Sequence, residues 1–468
     1  MNANTNTKKR SIVGIMVALL AACFAFQLNA SMLSPALVIM EKELNTNAAT
    51  IGLTQTVFFT AAALFSLFLP RLGDMIGRRK LLSSMLALTA VGCLISAFAG
   101  VTGSVALLFV GRITQGVAGP TVPLCLIMLR VAVPDPKRYG TLMGIIAAVN
   151  GGIAGVDAIA GGWLAQNFGF EAVFWTMAVV AVIAVVFVHF LCDESTVPNP
   201  ERMDWPGTIT LVIAVGSLLT AVNEIAKLAD ANWILVIVLA LVSAVFFVAF
   251  WNRENNAAAP LVSTKYLRSR STWALLMTTT MTMTGIFAIM NGIIPSIAQN
   301  AEFGAGIGAD VVSFWTLTPY ALAGLAMGPI AGTLAGKYGY RLVLRIGLVG
   351  SLAAILVLAL LMTNINGWIL FGISLFAGIA YAGTVNIVLN GLGIVLSPED
   401  NPGYLPGLNA GAFNLGAGMS FAILYAVMTS FGGAAGGHLA AIITGAILLG
   451  LALLSSFLIP KPGAKVAA

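Results

Sequence analysis

Charge is what this sequence has least of. Among 468 residues only 23 are basic and 17 acidic, a charged fraction of 9% against roughly 25% in a soluble globular chain. An ordinary water-soluble fold is thereby excluded. Histidine occurs twice, at His189 and His438, which the topology below puts at opposite membrane faces, so the two cannot pair around a metal. The four cysteines, Cys23, Cys93, Cys125 and Cys192, share no metal or disulfide spacing and sit in or beside apolar runs, where they read as small buried residues. A Walker loop, an HExxH pair and a Gly-x-Ser-x-Gly element are also missing, so the chain is expected not to hydrolyse ATP, not to be an enzyme, and to need no cofactor or metal.

What is present is apolar: 59% hydrophobic residues, 50 glycines and a mean hydropathy of +0.98. The apolar runs are about 18 to 26 residues long, the length of a helix crossing roughly 30 Å of hydrocarbon, and they lack the alternation of a barrel strand. This predicts an all-α membrane protein with fourteen spans, from Ser11–Pro35 to Leu439–Ile459. Lys8, Lys9 and Arg10 precede the first run as they would a signal peptide, but the run is too long and no small-residue cleavage site follows, so it is read as retained. With the N-terminus inside, twenty basic residues fall in inner loops and tails, while only Lys42 and Lys227 fall in outer ones. That asymmetry supports fourteen spans with both termini cytoplasmic. The net charge of +6 then reflects topology, with lipid as the partner and no nucleic acid.

The few charges cluster. RLGDMIGRRKLL, Arg71–Leu82, lies in the inner loop after the second span, and GTLAGKYGYRLVL, Gly332–Leu344, lies in the inner loop after the tenth. Gly77 and Arg79 of the first match Gly339 and Arg341 of the second, while Gly336 stands where Asp74 does. This degenerate repeat divides the chain into a six-helix half over 1–200, an inserted helix pair over 201–270 and a second six-helix half over 271–468. Two such halves around a mid-membrane site are the architecture of alternating access. In the loops, Asp74, Gly77, Arg78, Arg79, Gly339 and Arg341 are expected to form a conformational latch, with Asp74 pairing a cation or the positive end of a helix. The bland alternative is that the cations only anchor the loop to anionic lipid.

RLGDMIGRRK resembles the loop signature of the major facilitator superfamily, with Asp74, Gly77, Arg78, Arg79 and Lys80 in register and Pro70 where glycine is usual. GRITQG, Gly111–Gly116, is similar to the family's fourth-span motif with its embedded arginine, Arg112. MDWPG, Met203–Gly207, and APLVSTKYLRSR, Ala259–Arg270, look like the fourteen-span drug:proton antiporter branch. The resemblance implies a secondary transporter, monomeric, in a bacterial inner membrane, exporting amphipathic small molecules or drugs in exchange for protons by alternating access. The alternative is a uniporter, importer or exchanger of a small polar metabolite, or a lipid-moving relative. Two departures favour keeping it open. Asn29 occupies the position of the branch's first-span aspartate and cannot titrate, and VDAIAGG, Val156–Gly162, has Asp157 and Ala158 where glycine and proline are expected.

Ionisable residues inside a membrane are costly and therefore candidates for function. Only Arg112 and Asp157 lie well inside spans, at matching depth on the fourth and fifth helices. They are expected to form an ion pair, with Asp157 carrying the proton and Arg112 tuning it, unless Arg112 merely braces polar groups of the first span. Gln27, Asn29, Phe58, Gln115, Asn150, Asn291, Trp315, Tyr381 and Asn386 are the candidate substrate contacts, because aromatic walls with a few polar points suit small-molecule sites. Each amide can equally serve as glue between helices.

Overall fold

The computed structural model describes residues 11–195, 203–225, 231–257, 264–398 and 404–461; the side chains of 136–137, 140–141, 144 and 147–154 are also outside the described part. The described residues contain helices and no strand. Thirteen helices among them are long and apolar enough to cross a membrane. They are span 1 (Ile12–Glu43), span 2 (Ala48–Ile76), span 3 (Arg78–Thr102), span 4 (Val105–Ala132) and span 6 (Phe170–Leu191). Span 7 (Trp205–Ile225), span 8 (Trp233–Asn256), span 9 (Arg270–Gln299), span 10 (Leu317–Tyr338) and span 11 (Tyr340–Leu360) follow. Span 12 (Gly367–Val395), span 13 (Tyr404–Ser430) and span 14 (Ala435–Leu458) complete the series. The 33-residue helix Pro136–Phe168 fills the place of span 5, which accounts for the fourteen runs.

Burial orders the spans from centre to rim. Span 9 is 83% buried over its apolar window and span 8 only 17%, so span 9 lies at the heart of the bundle and span 8 faces lipid. Spans 7 and 8 pair with each other through Ser243 Oγ, which donates to the Ala214 carbonyl at 2.9 Å. An ion pair of Arg253 with Asp204 at 3.1 Å joins the same two helices. Span 7 lies against spans 2 and 13.

The repeated loops share one backbone device. Span 2 passes to span 3 through Gly77 alone, and span 10 passes to span 11 through Gly339 alone, with φ of 106° and 93°. Side chains with a Cβ avoid that region, so the glycines are what permit a one-residue joint. The surroundings differ: the Glu194 carboxylate fills the space beside Gly77, whereas a side chain on Gly339 would meet nothing.

Four spans are not continuous α-helix. Span 1 contains a 3₁₀ turn at Ser34–Ala36 and span 4 one at Gly116–Ala118, while span 9 has a π-turn at Ile289–Ile293 and span 12 one at Gly378–Val385. Pro35, Pro120 and Pro295 lack the N–H that an α-turn needs, which explains three of the interruptions. The interrupted spans hold the first and fourth places among spans 1 to 6 and among spans 9 to 14.

Spans 2 and 13 pack tightly at one end only. On span 13, Gly407, Gly411, Asn414, Gly418 and Tyr425 recur at helical spacing and share a face. Gly418 lies against Phe59, and Tyr425 covers Gly52, but side chains on Gly407 and Gly411 would enter open space. At the packed end Gln299 Nε2 also donates to the Pro35 carbonyl at 3.1 Å, joining spans 9 and 1. The helices therefore meet at the face opposite the basic loops and diverge toward the basic face.

Gly77→Ala and Gly339→Ala separate backbone strain from contact. The left-handed conformation alone should cost about 1 to 2 kcal/mol at either position, and Gly77→Ala should lose more because its Cβ meets Glu194. Apparent Tm in detergent tests this; equal losses would show that the Glu194 contact is of no consequence.

Candidate functional site

Arg112 is fully buried on span 4, and its guanidinium has no carboxylate partner among the described residues. It donates to Gln115 Oε1 at 2.7 Å, to Gln55 Oε1 at 2.7 Å and to the Asn29 carbonyl at 3.3 Å, and it lies 4.2 Å over the Phe58 ring. Gln115 in turn donates to Ser96 Oγ at 2.8 Å. Spans 1, 2, 3 and 4 are thus tied by one cation whose terminal nitrogens meet amide and carbonyl dipoles above an aromatic face, while its Nε is buried without a partner.

Asp157 on span 5 belongs to a different chain of hydrogen bonds. Gln27 Nε2 donates to Ser31 Oγ at 3.1 Å, and Ser31 Oγ donates to Asp157 Oδ2 at 2.6 Å. Asp157 Oδ1 is buried with no hydrogen-bond partner. The expected ion pair between Arg112 and Asp157 is therefore corrected: both reach span 1 at the same depth, but at Asn29 and Ser31. Arg112 meets a main-chain carbonyl of span 1 and Asp157 a side chain two residues on, and the two charges share no hydrogen bond or ion pair. The alternative reading of Arg112 as a brace for the first span describes what the structure contains.

The divergent side of the bundle opens onto aromatic rings and unpaired amides. Phe59, Phe287 and Phe421 form a triangle with ring centroids 5.0, 6.4 and 6.1 Å apart, and Tyr425 adds to Phe421 at 5.5 Å. Met277, Thr280, Thr284, Phe287 and Asn291 recur at helical spacing along span 9. Met277, Thr280 and Phe287 are half-buried even though this span is the most enclosed of the bundle, so the stripe faces internal space. Asn291 Nδ2 is tied to the Phe287 carbonyl at 3.0 Å, which leaves Oδ1 available. The Asn414 amide bonds no described residue. Deeper in the second set, the Tyr320 and Tyr381 rings are stacked 6.4 Å apart, and Tyr381 donates to the Met283 sulfur at 2.6 Å.

The remaining candidates are dispersed. Asn29, Phe58 and Gln115 are fully enclosed in the Arg112 network or beneath it and do not face the internal space. Trp315 packs edge-on to Trp368, itself 74% exposed, at the far ends of spans 10 and 12, so it belongs to the rim. Asn386 is half-buried and accepts from Asn390 at 3.1 Å. The side chain of Asn150 lies outside the described residues. Ser31 and Glu194 were not singled out from sequence, since neither a lone serine nor a glutamate just past a span carries a local pattern. Asp74 pairs with Arg78 at 2.8 Å within its own joint. Glu194 accepts from the backbone N–H of Arg79 at 3.0 Å and of Lys80 at 3.3 Å, capping span 3, and pairs with the Arg79 side chain at 3.6 Å. Arg341 is half-buried at the head of span 11.

A family profile described as Major Facilitator Superfamily matches residues 19–420. The chain is similar to a uridine/deoxyuridine transporter of Lactococcus lactis subsp. cremoris, with 56% identity over 98% of each protein. It is also similar to multidrug resistance protein 3 of Bacillus subtilis, at 26% identity over 62% of this chain and 55% of that one. A crystal structure of a mutant of the nucleoside transporter NupG covers 96% of this chain and 100% of its own, with a TM-score of 0.65 at 14% identity, which shows the fold alone. The relative that is alike end to end overturns the expectation of proton-coupled drug efflux, together with the antiporter and multidrug assignments. The loop and fourth-span motifs concern how helices join and brace, and they carry no information about what fits between them.

Arg112→Lys tests the brace. An ammonium cannot span Gln55, Gln115 and the Asn29 carbonyl at once, so the variant should lose about 3 kcal/mol of stability. An unchanged Tm in detergent would show that the network does not hold spans 1 to 4 together.

Proposed function

The chain belongs to the major facilitator superfamily, and from that membership we propose that it carries pyrimidine nucleosides, uridine and deoxyuridine first, across a bacterial cell membrane. The observation that carries this reading is the 56% identity to a uridine/deoxyuridine transporter, spread over 98% of both proteins. The site's chemistry agrees with it. A uracil ring is flat and neutral, with an imide edge that needs donors and acceptors side by side, and the sugar adds hydroxyls. Phe59, Phe287 and Phe421 offer ring faces, and Gln27, Asn291 and Asn414 offer amide groups.

In this reading the basic face is cytoplasmic, the structure is closed outward, and transport proceeds by rocking of 1–200 against 271–468. One chain supplies both halves, so a monomer suffices. The joint of Asp74, Gly77, Arg78 and Arg79, held by Glu194, and its counterpart at Gly339 and Arg341 act as the conformational latch. Asp157 is the group that exchanges a proton, with Ser31 as its partner. Support for this is geometric: it is a carboxylate within a span, without a cation, one hydrogen bond from the half-buried Gln27.

Proteoliposomes containing the purified protein should take up labelled uridine saturably, with competition by deoxyuridine. Failure to take up uridine, together with movement of a cationic dye, would reject the nucleoside reading. Asp157→Asn should cut accumulation driven by an imposed pH gradient about tenfold or more while sparing counterflow. A variant that still concentrates uridine in response to the gradient would remove Asp157 from the coupling role.

A further inference from the structure

We propose that a crevice on the outer face, where spans 2, 7 and 13 meet, is a second nucleoside site that holds the substrate before the outer ends separate. The crevice measures about 400 Å3, and Asn47, Thr50, Leu53, Asn223, Phe421 and Thr429 are among its lining residues. That volume lies in the range of small-molecule sites. The proposal rests on the nucleoside reading and on the orientation given above.

Three observations carry it. First, the crevice holds unspent hydrogen-bonding capacity on a rigid frame. Asn223 is half-buried at the outer end of span 7, and its side-chain amide bonds no other described residue. Asn47 uses only Oδ1, accepting from Thr50 N–H at 2.9 Å to cap span 2, so its Nδ2 remains a donor. The Thr50 hydroxyl is likewise uncommitted, whereas that of Thr429 is occupied by the Tyr425 and Ala426 carbonyls at 3.0 Å. An amide presents a donor and an acceptor side by side, the complement of the imide edge of uracil. A hydroxyl and an amide donor nearby suit the ribose.

Second, the inner wall of the crevice is Phe421, a member of the aromatic triangle with Phe59 and Phe287. One ring therefore borders both spaces, and it is only 2% exposed, so it closes one from the other. A base resting in the crevice is one side chain away from the cage. Third, the crevice is open while the outer ends of the main path are shut by Gln299 on Pro35 and Tyr425 on Gly52. A substrate outside finds this pocket when it cannot reach the cage. Asn223 comes from the inserted pair, to which this assigns a part in recognition.

The test uses the full chain reconstituted in one orientation, with uridine entering from the outer face in one series and from the basic face in another. Asn223→Ala should raise the half-saturating uridine concentration for outer entry about tenfold and leave that for entry from the basic face unchanged. Thr50→Val should act in the same direction by a smaller factor, and both variants should keep the wild-type Tm. Equal changes for both directions would place the effect in the central cage, and no change in either would make the crevice irrelevant; each result overturns the proposal. Wild-type protein that moves no uridine in either direction would instead reject the nucleoside reading itself.

Discussion

The Arg112 guanidinium, held in the middle of a helix bundle without a counter-carboxylate among the described residues, is the interaction on which the first four spans depend. Hydrocarbon offers no water to a stranded charge, so protein dipoles must replace it. Gln55, Gln115 and the Asn29 carbonyl do so from three helices, with Phe58 beneath the cation. Because the terminal nitrogens of the cation are taken up in this way, Asp157 is left with Ser31 as its hydrogen-bond donor. A stable brace and an uncommitted carboxylate arise from the same constraint.

The same accounting separates glue from site elsewhere. Thr278 and Thr282 return their hydroxyls to carbonyls one turn back at 2.8 and 2.7 Å, and Thr279 donates to Asn409 at 2.7 Å, so these residues pack helices. Asn291 and Asn414 keep unpaired groups toward the internal space. Groups that a bilayer would penalise if left bare mark where a ligand or water must come. The interrupted turns in spans 1, 4, 9 and 12 are consistent with this, since non-α turns concentrate at functional segments. The glycine stripe of span 13 lets it touch span 2 closely at one end and stand clear at the other, the geometry that a rocking motion requires.

Much of the architecture was legible without coordinates. Span length and the segregation of Lys and Arg are set by bilayer thickness and charge, which act on each segment separately. The joint at Gly77 and its partner at Gly339 were visible as a repeated motif because a one-residue turn demands glycine at that position. Less visible was Glu194, whose role depends on a chain segment more than 110 residues away reaching the head of span 3.

The sequence by itself determined the class, the run of membrane spans and the family, since these follow from local composition and short spacing. Only the tertiary structure decided which polar residues face one another. Arg112 and Asp157 both reach span 1 within two residues of each other, yet which groups they bond depends on the rotation of three helices about their axes. Phe58 and Phe59 are neighbours in sequence, but one lies under the guanidinium and the other in the aromatic triangle. Depth along a helix is written in residue count; azimuth is set by packing against every neighbour at once.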